Sequence, residues 1–208
     1  MKNAFLYALI AAPAVAMSTQ VSAALVKFSG EELSGDDAQH TDVTRNLGSA
    51  EDLADAFDDD GLLDLTQLYK SDFEEGQTLG DDDGPLADSY RTTFGGFEKE
   101  DSQEDPTSAQ INHIDGTDAI LCPDCYLLVK DGMRGDPAQY LFDISAWNGT
   151  DTIDLSGFWE DSQGSISNVS LWSDREVAGP EPMTLGRLGA GLLGLGMAAR
   201  RRASRHDA

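Results

Sequence analysis

Apolar and polar positions alternate along the C-terminal half of this chain, and the alternation predicts β-strands. Residues 126–129 form an apolar run, whereas residues 140–144 place three large apolar side chains on one face. Residues 152–155 and 168–171 alternate with a period of two, which is typical of a strand with one buried face. The stretch from 111 to 176 is therefore predicted to be the β-rich core of the protein.

Turn residues separate these predicted strands. Asp131-Gly132 and Asn148-Gly149 are strong signals for tight turns, and the strands recur roughly every ten residues. Short strands at this spacing favour antiparallel two-sheet architectures. The predicted fold class is mainly β, with an antiparallel β-sandwich or jelly-roll-like body.

The preceding part, residues 24–110, has scattered apolar residues among many acidic ones and is predicted to be loop-rich. One helix is predicted after Ser49, because Asp52 follows three positions later as in a capping box. Leu53 and Phe57 then share one helical face.

The N-terminal end has the pattern of a secretory signal peptide. Lys2 precedes an apolar run over residues 4–17, and small residues occupy the positions before a predicted cleavage site after Ala23. The apolar run is shorter than the roughly 20 residues of a membrane-spanning helix. Residues 1–23 are therefore predicted to direct export and to be removed.

The C-terminal end, residues 177–208, combines three elements. Pro180-Glu181-Pro182 is predicted to be extended, because proline fixes its own φ and disfavours helix in the residue before it. A short Gly- and Leu-rich transmembrane helix is predicted next, and a basic cluster then marks its cytoplasmic end. The residues of this predicted helix and its stop are Leu185, Leu188, Gly191, Leu192, Leu193, Gly194, Leu195, Gly196, Arg200, Arg201 and Arg202.

The distribution of charge supports the same division of the chain into two ends and a body. The whole chain has a formal net charge of −24, yet residues 24–176 alone carry 8 basic and 36 acidic residues, or −28. Such a body repels phosphate, so binding of nucleic acid through a basic patch is excluded.

The tripeptide, the Gly/Leu run and the Arg cluster, in this order at the end of a chain with a signal peptide, resemble the PEP-CTERM sorting signal of Gram-negative bacteria. The resemblance implies a Sec-exported protein held transiently in the inner membrane and processed there by exosortase. The body would then reach the cell surface or the extracellular space, often in bacteria that make exopolysaccharide. Residues 126–132, 140–144, 147–150, 154–159 and 166–172 also resemble a block shared by passenger domains of such proteins.

Cys122 and Cys125 are the only cysteines, and in an exported chain they are predicted to form a structural disulfide. A redox motif would open a helix, whereas Cys125 leads directly into a predicted strand. Zinc binding is a further alternative, with His113 as the nearest third ligand, although zinc requires about four ligands.

Two acidic runs are weak candidates for Ca²⁺ binding, because carboxylates next to glycine suit a hard cation. The candidate ligands are Asp58 and Asp60 in the first run, and Asp81 and Asp83 in the second. The spacing does not match an EF-hand, and solvated acidic loops are the competing interpretation.

The sequence favours a non-enzymatic surface or matrix protein. The segment 24–176 has two histidines, His40 and His113, and contains neither a Gly-x-Ser-x-Gly nor a His-Glu-x-x-His motif. One alternative is a carbohydrate-binding module for exopolysaccharide, Ca²⁺-assisted or not. Core packing is the role that the sequence favours for the tryptophans, and stacking of Trp147 or Trp159 on sugar is the less favoured role. The other alternative is a secreted hydrolase with two catalytic carboxylates.

Overall fold

The computed structural model describes residues 24–99, 103–132, 136–159 and 164–174, and these residues are mainly β. Single 3-10 turns occur at Gly35–Asp37 and Asp60–Leu62. The helix is α1 (Ala50–Phe57), and the strands are β1 (Leu25–Phe28), β2 (Glu31–Ser34), β3 (Gln39–Thr41), β4 (Thr66–Asp72), β5 (Asp81–Asp83), β6 (Tyr90–Lys99), β7 (Glu104–His113), β8 (Cys125–Asp131), β9 (Gln139–Asp143), β10 (Ile153–Ser156) and β11 (Ile166–Ser173).

The strands form two antiparallel sheets, as the alternating pattern predicts. The five-stranded sheet has the order β2-β1-β10-β7-β6, and the six-stranded sheet has the order β3-β9-β8-β11-β4-β5. Strands from the first and last thirds of the body pair directly: β1 pairs with β10, and β4 pairs with β11. The N-terminal part is therefore woven into both sheets and contributes β1 to β7.

One apolar core lies between the two sheets. Tyr69 of β4 contacts Tyr90 of β6 at a ring distance of 5.6 Å, and Phe73 contacts Phe94 at 5.4 Å, so the contacts join opposite sheets. Rings at these distances and tilts pack favourably edge to face. The predicted apolar face of residues 140–144 also belongs to this core, where Phe142 is fully buried.

Helix α1 covers part of the outer face of the six-stranded sheet, and its prediction is confirmed. The Asp52 N–H donates to Ser49 Oγ at 3.1 Å, which satisfies one of the free amides of the first turn. Leu53 is fully buried and packs with Leu128 and Trp172 in a second, smaller apolar cluster. One end of that outer face is thus apolar and covered by the helix.

The second acidic run has a different structure from the predicted solvated loop. Asp81–Asp83 is strand β5, at the edge of the six-stranded sheet, paired with Lys70, Ser71 and Asp72 of β4. Aspartate disfavours strands intrinsically, but an edge strand leaves alternate side chains in solvent. The middle residue, Asp82, accepts a hydrogen bond of 2.6 Å from the Tyr69 hydroxyl.

Candidate functional site

The two predicted targeting segments lie outside the described residues. Residues 1–23, the sorting motif Pro180-Glu181-Pro182 and the Gly/Leu run with its Arg cluster all fall there. In the part of the chain that the structure describes, no helix is long and apolar enough to span a membrane.

The three tryptophans are core residues, which confirms the core packing predicted for these aromatics and leaves the alternative of sugar stacking by Trp147 or Trp159 without an exposed ring. Trp147 is 2%, Trp159 6% and Trp172 1% exposed, so none presents a ring face to a ligand. Each indole N–H donates to a protein acceptor, namely Asp151 O, Pro137 O and Ser170 Oγ. All three indoles are therefore satisfied within the folded body.

The candidate Ca²⁺ ligands lie in two separate places. Asp58 is the left-handed residue that ends α1, and Asp60 lies in the following 3-10 turn. Asp81 and Asp83 are exposed on β5, at the edge of the six-stranded sheet. Across residues 24–174, apart from the undescribed gaps, no three His, Cys, Asp or Glu side chains are grouped as metal ligands. The cysteine pair and His113 likewise do not form a group of three metal ligands among these residues.

Cys122 and Cys125 form a disulfide with an S–S distance of 2.08 Å. Cys125 is the first residue of β8 and is buried, and its carbonyl accepts a hydrogen bond from Ile144 N–H at 2.9 Å. The bridge therefore closes a tight turn at the point where the chain enters the six-stranded sheet.

Tyr90 connects the loop before this turn to the loop of residues 147–150. Its hydroxyl donates to Gly149 O at 2.7 Å and accepts from Ile120 N–H at 2.8 Å. Gly149 has a φ of +82°, and a Cβ there would lie 2.1 Å from the Ile120 carbonyl oxygen. Burial raises the pKa of Tyr90 to about 12, against the opposing effect of the Ile120 hydrogen bond. The hydroxyl therefore stays protonated and can donate.

The candidate binding surface is a polar row on the outer face of the five-stranded sheet. Lys27 of β1 is paired with Glu32 of β2 on one side and with Asp154 of β10 on the other. Asp154 is in turn paired with Gln110 of β7. Direct pairing across neighbouring strands places their side chains side by side on one face. The row thus presents an acid, a base, an acid and an amide across four strands.

A shallow cleft of about 270 Å³ opens at one end of this row. It is lined by residues 27–32 together with Thr152 and Asp154. Lys27 Nζ lies 2.9 Å from Glu32 Oε2, and Gln110 Nε2 donates to Asp154 Oδ1 at 2.6 Å. The surface offers donors and acceptors side by side, which is the chemistry that recognises a ligand rich in hydroxyl groups.

The rim of the cleft is fixed by the loop that follows Trp147. Ser29 Oγ donates to Asp151 Oδ2 at 2.9 Å, and Asn148 Oδ1 accepts from Asp151 N–H at 2.8 Å. The side-chain hydrogen bond with Asn148, and then the one from Ser29, hold the pKa of Asp151 below its usual value. Asp151 therefore remains ionised and anchors the β1–β2 turn.

This surface is not visible in the sequence, because it depends on pairing between distant parts of the chain. The alternation of residues 152–155 indicates only that Asp154 faces away from the core. That Lys27 and Gln110 flank it is decided by strand order. No protein-family model, no curated protein and no solved structure matches this chain.

Proposed function

We propose that this chain is an exported protein whose body is delivered to the cell surface or the extracellular space after exosortase processes its C-terminal signal. The observation that carries the proposal is the sequence of Pro180-Glu181-Pro182, a short Gly/Leu run and Arg200-Arg201-Arg202 in the last 29 residues, behind an N-terminal signal pattern. The charge of the body supports solubility outside the membrane.

The described body is compatible with this route in two respects. Its last strand, β11, ends at Ser173, and six residues separate that end from Pro180. Six extended residues reach about 20 Å, enough to hold the tripeptide clear of the sheets. The single disulfide supports an oxidising compartment, where such bridges persist.

The sorting motif is tested by replacing Pro180, Glu181 and Pro182 with alanine in the full chain, in a host that contains exosortase. Full-length precursor is expected to accumulate in the inner membrane, because the protease loses the segment it recognises. Alanine at Glu176 and Val177, just before the motif, is the matched control and should be processed normally. Wild-type amounts of mature product from the motif variant would contradict the proposal.

A second candidate function, binding of exopolysaccharide with or without Ca²⁺, is favoured by the polar row over the cleft. The carboxylates there are already bonded to Lys27, Ser29 and Gln110, and we infer a binding surface in preference to a hydrolase. The row has hydroxyl-binding groups but no aromatic platform, so affinity would come from hydrogen bonds.

The full chain is titrated with the purified exopolysaccharide of its host, with Ca²⁺ and with chelator. Asp154→Ala and Gln110→Ala are expected to weaken binding about tenfold or more, as each removes a pair of polar contacts. Glu51→Ala, an exposed acid on α1, is the charge-matched control. Equal binding by all variants would exclude this surface, and shortened polysaccharide chains would indicate a hydrolase instead.

A further inference from the structure

The outer face of the six-stranded sheet, beyond the apolar cluster under α1, carries a second row of polar residues. Lys130 of β8 is paired directly with Asn168 of β11, and Asn168 is paired directly with Asp72 of β4. On the other side, Lys130 is paired with Gln139 of β9. The lysine, the carboxamide and the carboxylate therefore follow one another on three adjacent strands.

Lys130 and Asn168 are buried, unlike most lysines and asparagines. Lys130 is 8% exposed and Asn168 is 5% exposed. The Lys130 ammonium donates to the neighbouring Asp131 carbonyl oxygen at 3.2 Å, and none of the three ion pairs among the described residues includes it. Among the described residues, Asn168 Nδ2 has one long contact, of 3.5 Å with Ser167 Oγ.

This arrangement is costly as long as the lysine is charged. A buried ammonium loses its hydration, and one carbonyl hydrogen bond does not replace a carboxylate partner. A neutral amide at the same place would remove the charge and keep a donor and an acceptor. The local environment thus favours a product in which the amine has been acylated.

We propose that Lys130 and Asn168 form an intramolecular isopeptide bond between β8 and β11. The neutral Lys130 Nζ attacks Asn168 Cγ, the bond from Cγ to Nδ2 breaks, and ammonia leaves. The proton lost by Nζ is transferred to the departing nitrogen, so that atoms and charge balance without any oxidant or cofactor. The product is a Cγ–Nζ amide.

The geometry permits the reaction. Directly opposed residues of an antiparallel pair have Cβ atoms about 5 Å apart, and the four-carbon stem of lysine spans that distance. Nζ must turn from the Asp131 carbonyl toward the adjoining strand. Burial lowers the pKa of Lys130, the neighbouring Lys70 acts in the same direction, and Asp131 and Asp72 oppose them, so the neutral amine becomes more accessible.

Asp72 is assigned to proton transfer in this step. It is paired with Asn168 on the side away from Lys130, and it forms an ion pair with Lys70. A carboxylate beside the carboxamide can accept the Nζ proton and return it to the leaving ammonia. The bond would tie the two central strands of the sheet together and slow the opening of the body to proteases.

The test is mass spectrometry of the full chain, reduced, alkylated and digested with trypsin. Trypsin does not cleave after an acylated lysine. The wild-type protein is therefore expected to give residues 100–134 joined to residues 135–175, with the mass of one ammonia molecule missing. Free peptides that end at Lys130 and carry unmodified Asn168 as the main products would overturn the proposal.

Four variants make the assignment specific. Lys130→Arg and Asn168→Ala should abolish the joined peptide, whereas Lys27→Arg, at an exposed lysine on the other sheet, should retain it. Asp72→Asn should lower the joined fraction several-fold, and an unchanged fraction would refute the role of Asp72. The wild-type digest decides the main claim even if a variant fails to fold.

Discussion

Replacing Tyr90 with phenylalanine would remove one oxygen atom from the interior and leave the ring in place. The ring contacts with Tyr69, His113 and Trp147, at centroid distances of 5.6, 5.3 and 5.9 Å, do not involve the hydroxyl. The substitution therefore isolates the two hydrogen bonds that the hydroxyl makes to the backbone.

The two backbone groups that bond to the hydroxyl, Gly149 O and Ile120 N–H, are buried away from water. Gly149 O would lose its donor, and Ile120 N–H would lose its acceptor. An unpaired buried backbone group costs about 1–3 kcal/mol, so the loss of two is expected to lower the free energy of unfolding by about 2–6 kcal/mol. The loops around residues 120 and 149 should loosen first.

The assay is urea unfolding followed by tryptophan fluorescence, which reports directly on Trp147 beside the substituted ring. Tyr140→Phe is the matched control, because the half-buried Tyr140 hydroxyl forms no hydrogen bond with any described residue. A difference below about 0.5 kcal/mol between the two variants would refute the reasoning, since it would show that neither backbone group depends on the hydroxyl.

Three further predictions concern local features of the same body. Ser49→Ala should lower stability by about 1 kcal/mol, because the Asp52 N–H loses its capping acceptor; thermal unfolding measures this. Serine at both Cys122 and Cys125 should cost about 2 kcal/mol, the chain entropy of so short a loop, read from urea midpoints. Above pH 10 stability should fall, because the unfolded chain releases the Tyr90 proton at a lower pH than the folded chain; Tyr90→Phe should reduce this fall in a pH series of unfolding curves but not abolish it, since burial also raises the pKa of Tyr69.

The four strands predicted between residues 126 and 171 all exist. Each has a local apolar pattern, because at least one face of the strand must be buried. Phe142 and Leu155 face the core at positions that the period of two assigns to one face. The helix after Ser49 was predictable for the same reason, since its cap and its apolar stripe lie within eight residues.

The rest of the fold depends on pairing between distant segments. Asp81–Asp83 becomes a strand only because β4 offers its edge, and no local propensity of three aspartates indicates this. The polar row at Lys27 and Asp154 likewise exists only after β1 has paired with β10. The burial of the indoles was predictable, because large aromatic side chains within predicted strands and turns are most often core residues.

The position of β11 has a mechanical consequence. This strand lies inside the six-stranded sheet, with β8 on one side and β4 on the other, and its end is followed by the tail that carries the sorting motif. A force applied to that tail would pull β11 along its own axis against two ladders of backbone hydrogen bonds at once. A strand at the edge of a sheet could separate one hydrogen bond at a time. Strand β11 would instead be loaded in shear, with many bonds resisting together. The body should therefore withstand a pulling force applied through its C-terminal end.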